Sequence, residues 1–363
     1  MKMKVRAFTL VFCFFTLASW GQKTTKTENI VLITLDGLRW QEVFKGADSL
    51  MIDDTGMIKN QGSLLEEYWD VDPLKRREML LPFFWQTLAT EGQIYGNRSY
   101  GNLVDNWNKM WFSYPGYNEV LSGFADDERI NSNSKINNPN TTFLEYLNKM
   151  PEFNGKVMAF GSWDVFPFIV NEERSGVPVN AGFDLAEGED LTEAERVINR
   201  IQQEIRGPWG GVRLDPFTHH FAMEAFKKHK PRVMYIAYGE TDDWAHGNKY
   251  DEYIWSAHQT DAYIQEIWEM IQADPQYKDK TTLIITTDHG RGVTKRTWTS
   301  HGASVPEGGE IWIAAIGPDT PARGEMKLKG QWASAQIART VFQLLGMEYP
   351  DEKAGELIEE MLK

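Results

Sequence analysis

The sequence predicts an α/β fold in which a mostly parallel sheet is covered by helices on both faces. Two observations carry that expectation. Short continuous apolar runs recur at residues 30–35, 157–160, 233–238, 283–287 and 311–316, and such unalternating runs are what strands buried on both faces require. Between them lie longer segments whose apolar residues recur every three or four positions, the period of a helix with one buried stripe. Strand, helix and strand in succession make a sheet whose crossovers lie on its faces.

Taken in order, the run at 30–35 ends at Asp36-Gly37, a turn signal. Residues 46–77 are rich in Asp, Asn, Ser and Gly without a sustained period, and read as loops or small cap elements around a site. Helices are expected at 81–90, 114–122 and 142–149. The stretch 125–140 reads as a further loop, with its Asn-rich part, 131–140, exposed. After the strand at 157–160, the segment 191–205 opens with Leu191-Thr192-Glu193-Ala194-Glu195, a helix-capping signature, and its many charges suit a solvated helix on an insertion. Helices at 216–228 and 250–272 then alternate with strands at 233–238 and 283–287. A helix at 333–345 follows the run at 311–316.

A chain of 363 residues, 42% hydrophobic, can bury one large core. We expect a single domain over 22–363 with insertions at about 46–77 and 162–213. The net charge of -14 disfavours a general nucleic-acid or anionic-membrane surface, because phosphate-rich polymers are repelled at long range. At the amino end Lys2, Lys4 and Arg6 precede an apolar run at 7–18, and Ser19-Trp20-Gly21 offers a small-x-small cleavage pattern. This predicts a signal peptide over residues 1–21 and a periplasmic or secreted protein. The run is shorter than the roughly 20 residues that span a bilayer, so no stable membrane anchor is expected. Cys13, the sole cysteine, lies inside it, so the exported chain carries no disulfide.

The chemistry gathers where strands end. Asp36 follows the first run, Asp242 and His246 follow the third, Asp288-His289-Gly290 follows the fourth, and His301-Gly302 lies in a loop. Carboxylate oxygens and neutral imidazoles are the usual mixed ligand set for zinc, and these six divide into two groups of three. The interval from Asp242 to His246 brings both to one side of a turn, although an Asp after a strand also serves as a helix cap, with Asp243 as the other cap candidate. Ser113 opens a helix in Ser113-Tyr114-Pro115-Gly116-Tyr117. It reads either as a plain cap or as a nucleophile, placed where free backbone N–H groups and the helix dipole favour an anion.

In these residues the chain resembles the alkaline phosphatase superfamily of metal-dependent hydrolases, most closely its type I phosphodiesterase/nucleotide pyrophosphatase branch. Asp36-Gly37, Ser113-Tyr114-Pro115 running to Ser122-Gly123, Asp242 to His246, Thr287-Asp288-His289-Gly290 and His301-Gly302 appear in that branch's order. The likeness extends from about residue 29 to 345, with 46–77 and 162–213 unmatched. It implies a doubly wound, alkaline phosphatase-like sheet with the site at the strand carboxyl ends. It also implies one ion held by Asp242, His246 and His301, and another by Asp36, Asp288 and His289 with Ser113. The ions would be two divalent cations, zinc first, with manganese and iron as alternatives.

Two departures bear on substrate. Tyr117 stands where a sulfatase would carry the arginine that signals formylglycine, and Gly161-Ser162-Trp163-Asp164 stands where some phosphomonoesterases of the superfamily place a Lys-x-Arg pair. The expected function is therefore hydrolysis of a small-molecule phosphoric ester through a phosphoseryl intermediate on Ser113. A sulfatase-like hydrolase or a phosphoryl transferase or mutase is the alternative within the superfamily, and a non-catalytic, metal-stabilised binding protein is the alternative of another class. Arg39 is read as a substrate contact or a buried ion pair, Asn106 and Asn118 as phosphate donors or turn formers, and Arg174 or Arg213 as arginines that an insertion could bring to the site. Trp163 belongs to an aromatic rim or to packing, and His219, His220, His229 and His258 read as packing or surface residues.

Overall fold

In the computed structural model, which describes residues 25–362, the first strand is the spine of the sheet. All seven of its residues are buried, and it pairs in parallel on both sides. The strands are β1 (Asn29–Leu35), β2 (Gln93–Tyr95), β3 (Asn102–Asp105), β4 (Val157–Gly161), β5 (Val179–Ala181), β6 (Val233–Tyr238), β7 (Thr281–Thr286), β8 (Glu310–Ile311), β9 (Ile313–Ile316), β10 (Gly324–Glu325) and β11 (Gly330–Ala333). Eight form the main sheet in the order β10-β2-β9-β7-β1-β6-β4-β5, and β11-β3-β8 form a small second sheet. The five strands from β7 to β5 are all parallel, while β9 runs against both β7 and β2.

Alternation along the strands splits the core in two. Val31, Ile33 and Leu35 of β1 join the cluster made with the helices Asp215–His229 and Tyr250–Ala273. Ile30 and Leu32 join the opposite cluster, made with Ser113–Ser122, Phe143–Lys149 and Ile337–Leu344. Helices thus cover both faces of a mostly parallel sheet, as the apolar runs require. Among the described residues no helix is long and apolar enough to cross a membrane. The expected signal peptide, with Cys13, lies outside the described residues.

Several local expectations change. The run at 311–316 is two strands in different sheets, because Trp312 between them is buried, donates its indole N–H to Leu38 O at 2.9 Å and packs edge-on against Phe84. Residues 46–77 are not loops around a site: helices Ser49–Ile52, Gln61–Tyr68 and Pro73–Leu80 start at caps Asp48, Asn60 and Asp72 and send Met51, Ile52, Leu64, Tyr68 and Leu80 into the core. Helices of one or two turns are too short to display a period in sequence. The helix expected at 81–90 is a wider π turn, Phe84–Leu88, followed by Ala89–Glu91; Pro82 precedes it, and Asp261 accepts the N–H groups of Phe83 and Phe84. The Asn-rich loop is exposed only in part, since Asn138 and Asn140 are buried and both donate to Asn118 Oδ1. The charged helix Glu193–Glu204 has the expected capping box of Thr192 with Glu195.

Candidate metal centre

Register brings the candidate residues to one edge. Leu35 of β1 lies beside Tyr238 of β6, and Thr34 lies beside Thr286 of β7, so the chain leaves all three strands at the same carboxyl end. Asp36 follows β1 directly. Asp242 and His246 lie on the helix Glu240–His246 just past β6, one turn apart, with His246 Nε2 3.1 Å from Asp242 Oδ2. Gly239 is the cap residue of that helix and no side chain caps it, so neither Asp242 nor Asp243 is spent on capping.

Past β7 the chain bends at Asp288, and at Gly290 it passes so close to the next strand that a Cβ would stand 2.3 Å from Glu310 O. Asp36, Asp288 and His289 form one group whose ligand atoms all lie within 4.8 Å of one another, and Asp242, His246 and His301 form another. The two are contiguous: His289 Nε2 is 3.2 Å from Asp36 Oδ1 and 3.7 Å from Asp242 Oδ1.

Ser113 is the first residue of its helix rather than its cap, which is Phe112. Its Oγ lies 3.5 Å from His289 Nε2 and the residue is 5% exposed. The helix start offers fewer free N–H groups than its position suggested. Tyr114 N–H donates to Asn133 Oδ1, Pro115 has none, and Gly116 N–H is taken by Phe112 O, which leaves that of Ser113. At Gly116 a Cβ would lie 2.2 Å from Asp288 O, so only glycine lets this helix approach the metal group.

The surrounding groups orient the ligands. Tyr117 donates to Asp36 Oδ2 at 2.8 Å, and Gly37 N–H, at φ +60°, donates to Asp288 Oδ1 at 3.1 Å. His289 Nδ1 lies 2.9 Å from Gly290 O and His301 Nδ1 lies 3.1 Å from Trp111 O, contacts that place the protons on Nδ1 and leave each Nε2 free to ligate. The buried Arg291 guanidinium pairs with Asp242 and bonds Trp298 O and Thr299 O.

Without cations this cluster is electrostatically unbalanced. Burial, and then Asp242, hold the Asp36 carboxyl well above the ordinary range; burial and Asp36 do the same to Asp288. Burial also acts to raise Asp242, but Arg291, His246 and His301 together bring it well below. Burial and His289 push His301 down to about 2, so its imidazole is neutral. Asp36 Oδ1 and Asp288 Oδ2 are buried with no hydrogen-bond partner. Orphaned carboxylate oxygens beside unprotonated imidazole nitrogens fit divalent cations in both groups.

Other expected contacts resolve differently. Arg39 is fully buried, in an ion pair with the buried Glu42 and a second with the partly exposed Asp48. Asn106 donates to Asp288 O at 2.5 Å and accepts from Ser334, so it supports a ligand's backbone, while Asn118 is spent on Phe124 O, Asn138 and Asn140. Arg174 pairs with Glu145, and Arg213 bonds Thr218, Asn180 and Asp184 O, so neither serves the metal groups. Trp163 packs edge-on to Phe166, which packs in turn on Tyr117. His219 is buried between Tyr238 and Glu266, and His258 bonds Leu80 O. Sequence reasoning missed Arg291, whose signal is its place two residues after His289. It also missed Asn133, which carries no local signal.

Residues 218–349, which include Asp242, His246, Asp288, His289 and His301, match the metalloenzyme superfamily. No curated protein matches the chain in sequence. Wild-type alkaline phosphatase PafA is similar in structure at 11% identity, over 93% of this chain and 99% of that one, with a TM-score of 0.56. A phosphonate monoester hydrolase from Silicibacter pomeroyi is similar at 12% identity, over 93% and 76%, with a TM-score of 0.57. A 2-O GAG sulfatase is similar at 14% identity, over 93% and 74%, with a TM-score of 0.57. The chain therefore has an alkaline phosphatase-like α/β fold, and its residues 218–349 match the model of the metalloenzyme superfamily.

Proposed function

We propose that this protein is a two-metal hydrolase of phosphoric esters with Ser113 as its nucleophile. The observation that carries the reading is the hydroxyl of Ser113, buried, uncommitted to capping, and 3.5 Å from His289 Nε2 at the junction of two three-ligand groups. Asp36, Asp288 and His289 would hold one divalent cation, zinc in this reading, and Asp242, His246 and His301 another, and such ions would supply Lewis-acid charge to the reaction.

Ser113 Oγ attacks phosphorus. The Oγ–P bond forms as the bond from phosphorus to the leaving oxygen breaks; the hydroxyl proton of Ser113 passes to solvent, and the leaving oxygen takes one from solvent. Water then attacks the phosphoseryl ester, the P–Oγ bond breaks and Ser113 regains its proton. Ser113 N–H and the amide of Asn133, held beside Tyr114, are the donors assigned to the phosphoryl oxygens.

The reading extends to esters with a sizeable organic group, diesters first. Trp163 stands where a dianion clamp would be, Trp209 and Trp244 pack edge-on at 4.8 Å beside the metal-bearing helix, and Arg174 and Arg213 are committed elsewhere. Tyr117, bonded to Asp36, replaces the arginine of the formylglycine signal, which disfavours sulfatase chemistry. The test compares kcat/KM of the zinc-loaded protein for an aryl phosphate, a methyl aryl phosphate and an aryl sulfate. The diester should lead. A leading sulfate overturns the phosphoric ester reading, and a leading simple monoester overturns the diester preference.

A further inference from the structure

An ion pair joins two loops at the carboxyl edge of the sheet. Lys135 Nζ lies 2.7 Å from Asp164 Oδ2, with the side chains 50% and 30% exposed. Lys135 is fixed by its neighbours: Asn133 accepts from Tyr114 N–H at 3.0 Å, and Ile136 O accepts from the Tyr114 hydroxyl at 2.6 Å. The lysine is therefore bracketed by two bonds to the residue next to Ser113.

Asp164 lies just past β4, which ends beside β6 through Gly161 and Ala237, so it leaves the sheet at the edge that carries Asp242. Its own N–H donates to Gly211 O at 2.9 Å. Trp209, two residues before Gly211, packs on Trp244 of the helix bearing Asp242 and His246. The insertion thus runs from the metal-bearing helix to Asp164, while the Asn-rich loop runs from the nucleophile's helix to Lys135.

We infer that the Lys135–Asp164 pair determines specificity at this site: by neutralising Lys135, Asp164 favours singly charged phosphodiesters over doubly charged phosphomonoesters. The inference rests on the phosphoric ester reading above. Held by Asn133 and Ile136 against the residue that follows Ser113, an unpaired Lys135 would add attraction to a dianion, which carries one negative charge more than a diester. The adjacent carboxylate cancels most of that attraction. Both side chains are exposed enough to reorient.

The test is a double-mutant cycle on the zinc-loaded full chain, using Asp164→Asn, Lys135→Gln and the double variant. The quantity read is the ratio of kcat/KM for an aryl phosphate to that for its methyl ester. Asp164→Asn should raise the ratio by about tenfold and lower the inhibition constant of inorganic phosphate, Lys135→Gln should lower the ratio, and the double variant should return near wild type. A merely structural role would change both substrates alike. Any other order of ratios overturns the inference while leaving the hydrolase intact. If the wild-type protein turns over neither ester, the hydrolase reading falls and this one with it.

Discussion

The imidazoles of His289 and His301 stack with ring centroids 3.9 Å apart and 20° between their planes. One belongs to each three-ligand group, and each directs Nδ1 at a backbone carbonyl, Gly290 O and Trp111 O respectively. The stack fixes the separation of the two groups without a shared ligand. Because the carbonyl of Trp111 lies two residues before Ser113, it also ties the second group to the helix that Ser113 begins.

Replacing Ser113 by Ala should abolish turnover, by about 10³-fold or more, with little change in fold. The hydroxyl makes no cap bond, so the melting temperature should stay within about 2 °C of wild type, and two metal ions per chain should remain by elemental analysis. Near-wild-type kcat would instead assign the attack to water.

Gly116→Ala separates helix stability from site geometry. Alanine is the better helix former by about 1 kcal/mol, yet its Cβ would meet Asp288 O at 2.2 Å. Activity and bound metal should both fall, and a variant with unchanged kcat would show that the helix can withdraw without moving the ligand.

Arg291→Met should cost about 3 kcal/mol, because it strips a buried carboxylate of its cation and frees the carbonyls of Trp298 and Thr299 in the loop that carries His301. Denaturant unfolding reads the stability, and metal titration should show one weakened ion.

Metal-free and metal-loaded protein should respond differently to pH. Burial, with nearby acids, raises Asp243 to about 9 and Glu240 to about 8, and burial raises Asp261 to about 7. Asp36 and Asp288 shift the same way. A folded-state pKa above the unfolded value contributes stability that is present at low pH and lost as pH rises through it. The chelated protein should therefore lose melting temperature from about pH 6 to about pH 9. The zinc-loaded protein should lose less over that range, since cation binding favours the ionised forms of Asp36 and Asp288. Parallel profiles with and without chelator would contradict this.

Local signals reached the long elements and the ligand positions. The apolar runs at 30–35, 233–238 and 283–287 are strands because a strand buried on both faces must be continuously apolar, and Asp36, Asp242 and Asp288 end or follow them. Strands of two to four residues, such as β2, β5 and β10, left no run to read. The helices of 49–80 are too short to show a period, and Trp312 divides a run that is uniform in hydropathy.

What the sequence by itself determined is the α/β class, the candidate ligands and the serine, since strand burial and ligand chemistry both depend on residue type and local spacing. The tertiary structure alone decided that the two candidate groups lie in contact, that Ser113 is free of capping, and that Arg39, Asn118, Arg174 and Arg213 are committed elsewhere. It also brought Asn133 to Tyr114 and Lys135 to Asp164. Those outcomes depend on strand order and register, which set residues far apart in sequence a few ångströms apart in space, and no local pattern of side chains encodes such a distance.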